Sequence, residues 1–199
     1  MKIILIIIGT RVCMTNKNGE ITMKLVFPTL AYKEKAIEFI NEFFEYGSEV
    51  DGSGSLVNFL RDGKSYESWL EKVIASIDVA NVDYPNRVPA ITYFYVREED
   101  DRIVGMMNMR LCENDFIRAE AGHIGYCIRP TERRKHYATQ MLAEGVRVCK
   151  LMRINNVIVS CDKVNIASAK TIMNNGGVLD AEFFSERFGE VIQRYVIKV

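Results

Sequence analysis

Two hydrophobic periods alternate along the chain, and each change of period marks the boundary of a predicted element. Apolar side chains spaced three and four residues apart predict helices over residues 32–46, 66–77, 138–149 and 166–175. Runs rich in β-branched and aromatic residues predict strands over residues 24–27, 90–97, 102–111, 122–128, 157–161, 178–184 and 191–199. The predicted order after Met23 is β-α-α-β-β-β-α-β-α-β-β, which is typical of an α/β chain.

The connections between these elements indicate how the strands are arranged. The polar residues 98–101 and the pair Phe188-Gly189 each separate two strands and predict hairpins. The helix over 138–149 joins two strands, which predicts a parallel, right-handed β-α-β unit. Residues 47–55, with the sequence GSEVDGSGS, are predicted to form a flexible loop. A chain of 199 residues is long enough for one well-buried domain, which we expect to span residues 23–199.

The first 22 residues stand apart from this pattern. Residues 3–8 are strongly apolar, but the run is shorter than the hydrophobic region of a secretory signal and lacks a small-residue cleavage site. It is also too short to cross a bilayer. Gly19-Glu20 can be encoded by a purine-rich stretch of the ribosome-binding type, a few codons before Met23. We therefore expect residues 1–22 to be a non-native or unstructured extension, with Met23 as the natural start.

Charge and cysteine content exclude several classes of protein. Lysine plus arginine equals aspartate plus glutamate, at 26 each, so no overall field would hold nucleic acid or an anionic membrane. The five cysteines are widely spaced and form no CxxC pair, which favours free thiols in a reducing, cytoplasmic compartment. Only two histidines are present, so we expect no metal site.

The segment 122–142, with the sequence GHIGYCIRPTERRKHYATQML, carries the chemistry. A strand ends near Pro130, and a charged turn leads into an amphipathic helix. The first backbone N–H groups of a helix have no partner within it and lie at the positive end of its dipole. Arg133, Arg134 and Lys135 add full charges there, which suits a phosphate or pyrophosphate. Considered without any motif, a solvated basic helix start is the more common explanation.

Residues 133–138, RRKHYA, resemble the acetyl-CoA signature of the GNAT (N-acetyltransferase) superfamily, Arg/Gln-x-x-Gly-x-Gly/Ala. The Ile-Gly-Tyr strand and the proline before the signature agree with that family, as do residues 162–165 (DKVN), Ser168 and the Asn-Gly-Gly that begins at Asn175. The resemblance, to a bacterial group of predicted acetyltransferases, covers residues 91–199 well and the two N-terminal helices more loosely. It implies a mixed, mainly antiparallel central sheet of six to seven strands with about four helices.

The resemblance also implies acetyl-CoA as cosubstrate, with the loop amides on its pyrophosphate and the preceding strand pairing with its pantetheine arm. The residues that it places at the cofactor are Ile128, Arg133, Arg134, Lys135, His136, Tyr137, Ala138, Thr139, Asn165 and Ser168. Two departures stand out. His136 replaces the signature glycine, which we expect to weaken binding modestly because glycine allows close backbone approach. Ile172 replaces a tyrosine that many relatives use to protonate the departing thiolate.

Direct acetyl transfer to an amine needs a polarised thioester, a base and an acid. By resemblance, backbone N–H groups near residues 126–128 polarise the carbonyl. Glu120 is our first choice of base, although an exposed loop carboxylate is an equally good interpretation; His123 is the second choice, and a structural histidine explains it better. Their odd separation along one strand puts them on opposite faces. Tyr126 is a candidate acid, although strand tyrosines are most often packing residues.

The leading hypothesis is therefore an acetyl-CoA-dependent N-acetyltransferase that acts on an amine of a small molecule or protein. The acidic loop with Glu49 and Asp51 could attract a cationic amine. The alternative, motivated by His136 and Ile172, is a non-catalytic acyl-CoA-binding or sensing domain. A nucleic-acid module using residues 129–135 is poorly supported because no aromatic binding motif accompanies them. Family members often pair through their C-terminal strands, which leaves a homodimer open.

Overall fold

The computed structural model describes residues 12–13 and 22–199. Within this part, the strands are β1 (Val12–Cys13), β2 (Met23–Val26), β3 (Ala90–Arg97), β4 (Arg102–Arg110), β5 (Ile124–Ile128), β6 (Asn156–Asp162), β7 (Val178–Ser185) and β8 (Glu190–Lys198). The α-helices are α1 (Lys33–Glu45), α2 (Leu56–Arg61), α3 (Tyr66–Ala75), α4 (Tyr137–Leu151) and α5 (Ile166–Asn174). The predicted α/β class with mainly antiparallel strands is confirmed. The prediction for residues 1–22 falls almost wholly outside the described residues.

The strands form two sheets. Strands β1 to β5 follow one another in order, each antiparallel to the next. The last three strands form a second antiparallel sheet in the order β6-β8-β7. β5 and β6, the strands on either side of α4 in the predicted β-α-β unit, lie in different sheets and share no ladder. The chain just before β5 forms an isolated bridge to β6, between Gly122 and Val159.

Strand β3 shows why helices cover both faces of the first sheet. Successive side chains of a strand point to opposite faces, so β3 contributes to two separate cores. Tyr93 and Tyr95 pack in the core that contains Met141 of α4. Phe94 and Val96 pack in the core that contains residues of α1 and α3. The six-residue helix α2 lies in a stretch for which the sequence predicts no helix.

The segment 47–55 contains no helix or strand, in keeping with the predicted loop, and contacts with α3 and β5 hold its second half. The Trp69 indole N–H donates to the carbonyl oxygen of Gly54 at 3.0 Å. Gly52, with φ of +67°, lies against β5 so closely that a Cβ there would be 2.4 Å from the Gly125 carbonyl oxygen. Only glycine fits this close approach. The loop is thereby held beside the edge where β5 and β6 separate.

Candidate active site

The separation of β5 from β6 opens a cleft in the middle of the strand array. The His123 backbone N–H donates to the Ile158 carbonyl oxygen at 2.6 Å. The Ile158 N–H donates in turn to Nδ1 of the His123 ring at 3.0 Å. Beyond this junction, the described residues form no ladder between β5 and β6. The open edge of β5 therefore offers backbone groups with which an extended ligand can pair.

His123 has the contacts of a structural histidine. Its side chain is 1% exposed, and Nδ1 accepts a hydrogen bond, so the neutral ring carries its proton on Nε2. Nε2 lies 3.6 Å from the Glu113 carboxylate. Burial lowers the pKa of His123; Glu113 opposes this shift, and Arg110 adds to it. These contacts give the ring a role in joining the strands, and its predicted second role as a base remains a prediction.

The signature loop, residues 133–136 before α4, has the backbone form of an anion site. Arg134 and His136 both have left-handed φ angles, of +67° and +63°, and α4 begins immediately after them. Among the described residues, no acceptor is recorded for the amides of Arg134, Lys135 or His136. The amides of the first turn of α4 add further donors at the positive end of the helix dipole. Such a concavity of free N–H groups binds phosphate.

The side chains of the predicted cofactor residues divide into two groups. Arg133 is engaged with protein: Nε donates to the Ile128 carbonyl oxygen and Nη1 to the Ser48 hydroxyl, each at 3.2 Å. Tyr137 is buried in the core, so only its backbone N–H is available to a ligand. Arg134 and His136 are exposed. The loop therefore offers amides and two exposed side chains, while Arg133 fastens it to the end of β5.

A pair of hydroxyl groups spans the cleft. The Tyr126 hydroxyl on β5 lies 3.0 Å from Ser168 Oγ on α5. Asn165 caps α5, since its Oδ1 accepts from the Ser168 N–H at 3.0 Å. Burial raises the pKa of Tyr126 to about 12, so the phenol is protonated at neutral pH. The structure thus brings together a predicted catalytic residue and a predicted cofactor residue.

Glu120 occupies a different part of the surface. Its carboxylate accepts a hydrogen bond from the Ser185 hydroxyl on β7. It is half-buried and lines a cavity of about 740 Å³ together with Phe183, Arg187 and Arg194. No contact joins it to Tyr126 or to the signature loop. The structure therefore does not bring the predicted base together with the hydroxyl pair.

Four carboxylates form what we call the acidic patch, namely Glu49, Asp51, Asp162 and Glu190. Burial, Asp162 and Glu49 raise the pKa of Asp51, and Arg110 partly opposes them. Asp162 and Glu49 also raise the pKa of Glu190. Asp51 is itself exposed to solvent. The sequence interpretation did not find Glu190, because only the β8 pairing brings it beside the end of β6.

The described residues contain no group of three or more histidine, cysteine or acidic side chains arranged to hold a metal ion. In the same part of the chain, no helix has the length and apolar character needed to cross a membrane. The four cysteines with described side chains are free thiols.

A mixed α/β fold with two adjacent strands that separate beside a helix-start anion site defines an acyl-CoA-type transferase site. The sequence matches the Acetyltransferase (GNAT) domain over residues 55–178, which is more than half of the chain. The chain therefore belongs to the GNAT acetyltransferase family, and this membership makes it an acyltransferase. A comparison with curated proteins finds no match.

Solved structures support the same fold. The microcin C7 self-immunity acetyltransferase MccE, solved with acetyl-CoA and AMP, is 18% identical with a TM-score of 0.64, covering 89% of this chain and 92% of its own. The ribosomal-protein-S5-alanine acetyltransferase of Vibrio fischeri is 15% identical with a TM-score of 0.62, covering 94% and 96%. RimL, a ribosomal L7/L12 α-N-protein acetyltransferase solved with coenzyme A, is 14% identical with a TM-score of 0.64, covering 89% and 94%.

Proposed function

We propose that this chain is an acetyl-CoA-dependent N-acetyltransferase that moves the acetyl group directly to an amine. The observation that carries the proposal is the combination of the free amides in the signature loop with the open edge of β5. The loop suits a pyrophosphate, and the strand edge suits the amide-containing arm of the cosubstrate. The GNAT membership and the similar structures solved with acetyl-CoA or coenzyme A agree with this cosubstrate.

The Tyr126–Ser168 pair is our proposed source of the proton for the leaving thiolate. Position 172, where many relatives carry the acidic tyrosine, is a fully buried isoleucine. Tyr126 supplies a protonated phenol from the opposite wall of the cleft, and Ser168 can orient it through the 3.0 Å contact. A positioned acid contributes roughly 10²- to 10⁴-fold to a rate. A water chain takes the proton from the amine, because the Glu120 carboxylate is directed to Ser185, away from this pair.

The acidic patch favours a cationic amine as the acceptor. Its carboxylates come from the 47–55 loop, the end of β6 and the start of β8, next to the Tyr126 side of the cleft. A negative wall of this kind attracts a protonated amine and repels an anionic acceptor. Both a small amine and a protein α-amine fit this charge. The similar ribosomal-protein acetyltransferases make peptides with a free N-terminus a natural part of an acceptor screen.

The proposal is tested by measuring acetyl-CoA binding calorimetrically and amine-dependent release of CoA thiol. We expect micromolar binding, or about −8 kcal/mol, and turnover with at least one cationic amine or N-terminal peptide. The Tyr126→Phe variant should lower kcat about 100-fold while leaving acetyl-CoA binding within about twofold. Binding without turnover by any acceptor would favour the acyl-CoA-binding alternative. No binding would refute the proposal.

A further inference from the structure

The signature loop adopts a backbone that its own residues disfavour. Arg134 and His136 lie in the left-handed region, and neither is a glycine. Such a conformation persists only when surrounding contacts hold it in place. In this family signature the second of these positions is the glycine, so this chain must stabilise the loop by other means.

The buried carboxylate of Glu132 provides such contacts. Its side chain is 5% exposed, and Oε2 accepts from Lys135 Nζ at 2.8 Å and from Arg97 Nη1 at 3.0 Å. Arg97 is itself fixed, since its remaining nitrogens donate to Asp100 at 2.9 and 2.7 Å. Glu132 therefore connects the middle of the loop to the end of β3, a rigid part of the first sheet.

The residue immediately before Glu132 is also held by a carboxylate. Glu42 of α1 accepts from both the backbone N–H and the hydroxyl of Thr131, at 2.9 and 2.8 Å. The start of the loop is thus fixed to α1 at Thr131 and to β5 by Arg133, whose guanidinium donates to the Ile128 carbonyl oxygen. The Glu132–Lys135 contact is a further restraint, and it acts directly next to His136.

We propose that Glu132 is a positioning residue for the cosubstrate, which holds the loop 133–136 in its binding conformation and so compensates for the missing glycine at His136. The inference rests on the proposed function for the identity of the ligand. Glu132 itself does not contact the ligand. It acts through Lys135 and the backbone, and it keeps the amides of residues 134–136 directed together in the absence of ligand.

Simple electrostatics predicts that removing the Glu132 charge tightens acetyl-CoA binding, whereas the positioning role predicts that it weakens binding. The direction of the change in affinity therefore tests the inference. A carboxylate near a pyrophosphate site repels the anion, and removing it would release Lys135 to bind phosphate. If that were its main effect, Glu132→Gln would tighten acetyl-CoA binding. If Glu132 positions the loop, the same change lowers the fraction of loops in the competent conformation and weakens binding by that fraction.

The experiment is a double-mutant cycle of Glu132→Gln and His136→Gly, with acetyl-CoA binding measured calorimetrically. We expect Glu132→Gln to weaken binding about tenfold. In the His136→Gly background, where the backbone is no longer disfavoured, we expect the same change to weaken binding by about twofold or less. The control is Glu144→Gln, which removes a similarly buried carboxylate with an i,i+3 arginine partner on α4. It should leave binding unchanged.

A second measurement needs no ligand and separates this inference from the proposed function. The Gln140 amide donates to the His136 carbonyl oxygen at 3.2 Å, so its hydrogen exchange reports whether the loop is held. Glu132→Gln should speed this exchange about tenfold, and adding His136→Gly should restore it. If the wild-type protein failed to bind acetyl-CoA, the proposed function would fall while this exchange would still decide the inference. Tighter binding, an equal loss in both backgrounds, or unchanged exchange would each overturn it.

Discussion

Replacing His136 with glycine tests the central geometric feature of the anion site. His136 has φ of +63° at the residue before α4, a region in which a Cβ costs roughly 1–2 kcal/mol. Glycine removes that cost but loses about 0.5–1 kcal/mol more backbone entropy on folding. The free energy of unfolding should therefore rise by only about 0.5 kcal/mol. The larger effect is expected in binding.

The binding effect follows from the geometry of the loop. Without a Cβ at position 136, phosphate oxygens can approach the neighbouring amides more closely. A hydrogen bond to a charged group contributes about 1.5–3 kcal/mol. Recovering part of one such bond corresponds to about 1 kcal/mol, or roughly a fivefold lower Kd. We therefore expect His136→Gly to bind acetyl-CoA about fivefold more tightly than the wild-type protein.

Arg153→Gly provides a matched control for this prediction. Arg153 has the same φ of +63°, is exposed, and lies beyond the opposite end of α4. Its replacement should change the free energy of unfolding by a similar amount without altering acetyl-CoA binding. Calorimetric titration and urea unfolding of the three proteins measure both quantities. If His136→Gly binds no more tightly than wild type, or if Arg153→Gly gains as much, our account of the loop is refuted.

Two further predictions concern the contacts that shape the cleft. Gly52→Ala should lower amine-dependent turnover at least tenfold, because its Cβ would collide with the Gly125 carbonyl oxygen. The control is Gly47→Ala, at φ of +57° with open space around it, which should cost only about 1 kcal/mol of stability. Equal losses of turnover in the two variants would contradict this prediction. Burial lowers the pKa of His123 below its unfolded value of about 6.5, so its contribution to stability should be complete above that pH and fall as the pH drops through the lowered pKa. Urea unfolding at pH 8 and 5.5 should show a larger loss of stability for wild type than for His123→Gln, and equal losses would contradict the lowered pKa of His123.

Much of the fold could be predicted because its strands carry a strong local pattern. Strand β3 begins and ends where the sequence predicts. Both of its faces are buried, in two different cores, so nearly all of its residues are apolar or aromatic and the strand is easy to recognise. Helix α2 could not be predicted in the same way. Its six residues are too few to show helical periodicity. The side chain of Ser55, the residue before it, makes no capping hydrogen bond, so a serine at this position is no guide to the start of the helix. Its position depends on packing of Leu56 and Val57 against distant helices.

In the candidate site, too, features within short stretches of sequence could be predicted, and contacts between distant residues could not. The signature loop and Asn165 lie in short, contiguous motifs, so their resemblance to the family pattern is visible in the sequence, and Asn165 opens α5 as that resemblance implies. The contacts that hold the loop are not local: Glu42 and Thr131 are 89 positions apart in the chain. The sequence placed Glu120 near the chemistry because it precedes the Ile-Gly-Tyr strand. In the structure Glu120 lies within the short helical turn Ile117–Ala121, and its carboxylate accepts from Ser185.

The junction of β5 with β6 explains why the cleft opens where it does. At Gly122 the two chains are so close that a Cβ would lie 2.6 Å from the Ile158 carbonyl oxygen. One residue later, the His123 ring takes the Ile158 N–H that a continuing ladder would have bound. Among the described residues no ladder follows between β5 and β6, and the Tyr126 hydroxyl, three residues beyond His123 in the chain, lies 3.0 Å from Ser168 Oγ.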